Sequence, residues 1–76
     1  MSQQIEMAAH YTSIGMLTRT CKRGQPYVWY VVGFDGQQFY TGRFEELRKN
    51  VREEHGESVE AEIVAAAHEI VQVNDD

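Results

Sequence analysis

At 76 residues and 8.8 kDa the chain has room for one small domain, residues 1–76, and none for a separate catalytic lobe. A composition of 42% hydrophobic and 25% charged residues with a single proline excludes collagen-like, low-complexity and intrinsically disordered classes. The formal charge of −5 conceals an asymmetry: all seven basic residues precede position 53, where four acids leave a net +3, whereas residues 53–76 hold eight acids and no Lys or Arg, a net −8.

The apolar run Val28 to Val32 falls far short of the roughly 20 residues that span a bilayer. The start MSQQIEM lacks the basic and apolar blocks of a signal peptide, so a soluble, cytoplasmic protein with no membrane contact is expected. A lone Cys21 supplies neither an intrachain disulfide nor a paired-cysteine zinc site. A chain this short buries only about 60% of its unfolded surface, so a second copy, a partner or a ligand would add useful burial.

Along the chain, HYTSIGMLTRTC is the first patterned segment. Thr12, Ile14, Thr18 and Thr20 favour a strand, while Met7, Tyr11, Ile14, Leu17 and Cys21 recur at helical spacing. Gly15 and the Thr/Ser content favour the strand, and a helix over residues 3–21 stays open as the alternative. KRGQP, with Gly24 and Pro26, turns the chain into the strongest local signal, YVWYVVGFDGQQFYTG. This reads as a β-hairpin about a two-residue Asp35-Gly36 turn, with Phe34 facing Gln37, Val32 facing Phe39 and Tyr30 facing Thr41. Alternation then places Val28, Tyr30, Val32 and Phe39 on one face and Tyr27, Trp29, Val31 and Tyr40 on the other, both apolar.

RFEELRKNVREEH carries a helical stripe of Phe44, Leu47 and Val51, supported by Glu45/Lys49 and Lys49/Glu53 pairs four apart, and Gly56 ends it. Ser58 is the expected cap of a second helix, with Glu60 and Glu62 near its positive end, running to about Val73. Its seam is Val59, Ile63, Ala66, Ile70 and Val73, and the Ala65-Ala66-Ala67 run permits close approach. The predicted fold class is α+β, a three-stranded antiparallel β-meander followed by two C-terminal helices. The order strand, Asp-Gly turn, strand and helix is similar to that of many small phage and mobile-element proteins and of toxin–antitoxin partner domains, an analogy of architecture that transfers no residue.

For catalysis, the nucleophile and base candidates Cys21, His10, His55 and His68 have no mutual arrangement in the sequence, so no catalytic residue and no enzyme are expected. Glu6 and His10 have metal-ligand spacing only on a helix, and two ligands do not close a site; no metal and no cofactor are expected. The glycines at 33, 36 and 42 belong to a hairpin and form no phosphate-binding pattern.

Two surfaces invite a binding role. The aromatic face Tyr27, Trp29, Val31 and Tyr40 can stack single-stranded bases while Lys22, Arg23 and Arg43 meet phosphates, but burial under a helix or a homodimer partner is the simpler use of it. The acidic end either solvates two helices or imitates a polyanion: eight carboxylates on helical residues give about one charge per 4.5 Å, against about 3.4 Å along a DNA strand. The leading expectation is a non-enzymatic acidic protein-interaction module, an inhibitor of the phage or mobile-element type that blocks a nucleic-acid-binding machine. Its contact patch is Glu53, Glu54, Glu57, Glu62 and Glu69, its partner a protein with a basic surface, and a homodimer contact uses the aromatic face. The alternatives are a sheet-based nucleic-acid-binding module and, more distantly, a small enzyme.

Overall fold

The computed structural model describes the backbone of residues 5–22 and 24–74 and the side chains of 7–22 and 24–71. Arg23 and the side chains of Glu6 and Val73, each invoked above, lie outside them. Four strands, β1 (Ile5–Thr12), β2 (Gly15–Lys22), β3 (Val28–Val32) and β4 (Gln38–Gly42), precede two helices, α1 (Phe44–His55) and α2 (Glu57–Asn74). The strands form one antiparallel sheet in the order β1-β2-β3-β4, so the α+β meander holds but with four strands where three were expected.

The additional strand comes from a turn inside the segment read as one element. Thr12 Oγ1 accepts the Ile14 N–H at 3.3 Å and donates to the Gly15 carbonyl at 2.8 Å, a side-chain imitation of a backbone turn that reverses the chain at Ser13-Ile14. The helical alternative for residues 3–21 therefore gives way, over the described residues, to a hairpin paired residue for residue from Ile5↔Lys22 to Thr12↔Gly15.

The second hairpin has a different register from the one expected. Its loop holds three residues, Phe34 to Gly36: the Gly33 N–H bonds the Gln37 carbonyl at 2.8 Å, and the Gly36 N–H bonds the Gly33 carbonyl at 2.9 Å. Gly36 takes φ 87°, the left-handed residue that closes a three-residue hairpin, and Asp35 Oδ1 accepts the Gln37 N–H at 3.1 Å. Val31 consequently faces Phe39 and Val32 faces Gln38; a bulge then absorbs one residue, so that Trp29 faces Gly42. Tyr40, at φ 59°, is the positive-φ non-glycine residue among the described residues and lies in that bulge. Holding it there costs about 1 kcal/mol and turns both Phe39 and Tyr40 toward the helices.

Both helices cover the same face of the sheet, α2 over β1 and β2 and α1 over β3 and β4. The core is Leu17 and Val31, paired across β2 and β3, with Trp29 beside them, Leu47 and Val51 from α1, and Ile63, Ala66, Ala67 and Ile70 from α2. The opposite sheet face, carrying Met7, Tyr11, Met16, Tyr30 and Val32, has no second layer among the described residues. Gly56 is the whole connection between the helices: its N–H reaches the Arg52 carbonyl at 3.0 Å while its own carbonyl accepts the Glu60 N–H at 3.1 Å. α2 thus starts at Glu57, and Ser58, expected as its cap, sits inside the first turn.

Candidate interaction surface

The chemistry-bearing side chains are spread over the fold. His10 lies on β1, Cys21 near the end of β2, His55 at the end of α1 and His68 on α2. The Cys21 thiol is spent locally, donating to the carbonyls of Lys22 at 3.4 Å and Gln25 at 3.2 Å. Among the described residues no three His, Cys, Asp or Glu side chains converge on a point where a metal would sit, and no helix is long and apolar enough to cross a membrane.

All five members of the expected acidic patch are exposed, but they do not form one strip. At about 100° per residue, Glu57 lies about 140° around α2 from Glu62, whereas Glu62 and Glu69 lie within about 20° of each other. Two of the five also have partners inside the chain. The Glu62 carboxylate accepts the Ser13 N–H at 2.8 Å and the Ser13 hydroxyl at 3.0 Å, tying α2 to the β1–β2 turn across 49 residues of sequence. Glu54 Oε1 accepts the Tyr40 hydroxyl at 2.5 Å. Glu60, outside the expected patch, is buried and receives Arg48 Nε at 2.7 Å, with Arg52 at 3.7 Å, and so joins the two helices. Glu53, Glu57 and Glu69 project freely enough to meet a partner, and Glu57 borders the cleft described below.

The aromatic face is used largely within the chain. Val31 is fully buried and Trp29 is 9% exposed, its ring 4.7 Å from that of Phe44 at the start of α1. Tyr27 stays half exposed with the Arg19 guanidinium 4.0 Å over its ring, and Arg19 also lies 5.6 Å from the Trp29 ring. Tyr40 leans on α1, its hydroxyl 3.2 Å from His55 Nε2 and its ring edge-on to the imidazole. The sheet surface open to bases or to a second copy is therefore the other one, with Tyr11 and Tyr30.

Partial burial, the hydrogen bond to Glu54 and that carboxylate's charge, in this order, push the Tyr40 hydroxyl up from 10.0 to about 12. Because the folded chain holds this proton more tightly than the unfolded chain, the stabilisation is complete below pH 10 and is lost as pH rises toward 12. In an ultraviolet tyrosinate titration, one of the four tyrosines is expected to ionise near pH 12 in the folded protein, and Glu54→Gln should bring it down. An unchanged curve in that variant would remove Glu54 as a cause.

A concavity lies between the helices. Trp29, Phe44, Arg48, Val64, His68 and Val71 line a mainly apolar groove of about 320 Å³. It adjoins, through Arg48 and Val64, a second depression of about 400 Å³ along Glu57, Ala61 and Ala65. The strip of α2 beside these depressions reads Ala61, Val64, Ala65, His68 and Val71, with Glu57 at its N-terminal end and the exposed Glu62 and Glu69 further round the helix. The seam Val59, Ile63, Ala66 and Ile70 was legible from periodicity because it is the buried one. Ala61 and Ala65, standing where charges belong, were the available signal for the other side. Comparison of the chain with protein-family models, with curated proteins and with solved structures finds no match.

Proposed function

We propose that this chain is a non-enzymatic protein-interaction module whose contact centres on the groove between α1 and α2. The observation that supports this reading is the uncharged strip of α2, Ala61, Val64, Ala65 and Val71, running into a cleft floored by Trp29 and Phe44. A cleft of that size takes one large apolar side chain of a partner, and such buried anchors carry most of the energy of protein interfaces. Glu57 stands at its margin, and with the exposed Glu53 and Glu69 elsewhere on the helices it contributes to a field that selects a partner with a basic surface, since the charge of residues 53–76 outweighs that of the remainder. A basic surface whose natural ligand is a polyanion would be blocked by this contact. Inhibition of a nucleic-acid-binding protein is accordingly the specific form of the proposal.

A pull-down with nuclease-treated lysate tests it. The wild-type chain should retain the same protein with and without nuclease, more weakly as salt rises, while Ala65→Lys and Val71→Lys, both at exposed positions, should lose it with the fold intact. Retention that vanishes on nuclease treatment would transfer the function to nucleic-acid binding by the open sheet face. Retention unchanged in both variants would remove the groove from the contact.

A further inference from the structure

The two edges of the sheet are built differently. β4 is five residues long and is bent by the bulge at Tyr40, features that keep an edge from pairing with another chain. β1 is eight residues long and unbulged, and its sequence IEMAAHYT has one charged residue, no lysine and no proline. Its backbone groups divide by parity. Thr12 and Gly15 flank a two-residue turn and bond each other, so the even-numbered residues of β1 bond β2, and the N–H and C=O groups of Met7, Ala9 and Tyr11 point to the open edge. His10 Nδ1 lies 3.0 Å from the Tyr11 carbonyl, which places that oxygen away from β2.

We propose that β1 pairs antiparallel with β1 of a second copy, joining two four-stranded sheets into one continuous sheet about a two-fold axis through Ala9. Such an axis, normal to the sheet, keeps both helical layers on the same side and sets residues of equal parity opposite each other. With Ala9 on the axis, Met7 faces the partner's Tyr11 and Tyr11 faces the partner's Met7. Among the described residues these are the most exposed large apolar side chains of the sheet, at 67% and 68%, and they meet as thioether–aromatic pairs on the uncovered face. The odd-numbered groups left unpaired in one copy are then those that exchange hydrogen bonds with the other. The Tyr11 carbonyl keeps His10 as well, since an oxygen has two lone pairs. This surface is separate from the groove between the helices. The contact is one strand from each copy, so the pairing is weak and follows protein concentration by mass action. Because each copy carries −5, it should strengthen as salt rises, opposite to capture of a basic partner.

Sedimentation equilibrium combined with amide hydrogen exchange, from low micromolar to near-millimolar protein, tests the pairing. A monomer–dimer equilibrium is expected in which the amides of Met7, Ala9 and Tyr11 gain protection with concentration, while those of Ala8, His10 and Thr12 are protected throughout. Ala9 is exposed, so Ala9→Lys and Ala9→Glu should both fold, which circular dichroism checks. Each places a charge against its own copy on the axis and should weaken self-association by more than about tenfold, whereas an equimolar mixture of the two should pair. A wild-type chain that stays monomeric over the whole range, a dimer unaffected by either charge, or protection that grows along β4 in place of β1 would overturn the proposal.

Discussion

Replacing Gly15 by alanine is expected to destabilise the fold by about 3 kcal/mol or more, a large part of what a domain of this size possesses. Gly15 holds φ 138°, and a Cβ built on it would stand 2.4 Å from the Val32 carbonyl oxygen and 2.9 Å from Gly33 Cα. Both neighbours are backbone. They cannot move aside without opening the β2–β3 ladder at Met16↔Val32, so a conformational strain of about 1–3 kcal/mol adds to an overpacking cost of similar size. Gly36→Ala is the control: Gly36 also has a positive φ, but nothing lies within 4 Å of its added Cβ, and it should lose only about 1 kcal/mol. Urea unfolding of the two variants separates these contributions. Equal midpoints would mean that the close approach to β3 carries no cost.

Trp29→Ala should be comparably damaging, with a loss of about 3–5 kcal/mol. The ring is 9% exposed, packs on Phe44, lies beside the Arg19 guanidinium and forms the floor between the helices, so its removal empties the place where α1 rests on β3. Trp29→Phe keeps an aromatic contact with Phe44 and should recover most of the loss. Far-UV circular dichroism against urea gives the comparison. Trp29 is the only tryptophan, so in the wild-type chain its emission reports on unfolding and on occupancy of the groove. A partner captured without any change in that emission would bind elsewhere.

How far each feature was legible follows the range of the forces behind it. The two helices, their limits near Gly56 and their buried stripes at Leu47 and Val51 and at Ile63, Ala66 and Ile70 could be read from the chain, because hydrophobic periodicity belongs to neighbouring residues. The hairpin around Asp35-Gly36 was legible for the same reason. Its register was not, because a two-residue and a three-residue closure use the same Asp-Gly signal, and the bulge at Tyr40 returns the lost residue only where β4 meets α1. The turn dividing β1 from β2 is closed locally by Thr12 but is held in place by Gly15 fitting against β3 and by Ser13 reaching Glu62, contacts with residues remote in sequence.

The candidate site divides in the same way. Composition by itself determined that the C-terminal third is acidic and that the hairpin is apolar on both faces. Only the tertiary structure decided that Glu54, Glu60 and Glu62 have partners inside the chain, that Trp29 and Val31 lie under the helices, and that the sheet face with Met7 and Tyr11 is left open by the described residues. The physical reason is that a sheet apolar on both faces with one helical layer must leave one face uncovered. Which face that is depends on how the strand register and the helix packing are satisfied together, and no local segment encodes it.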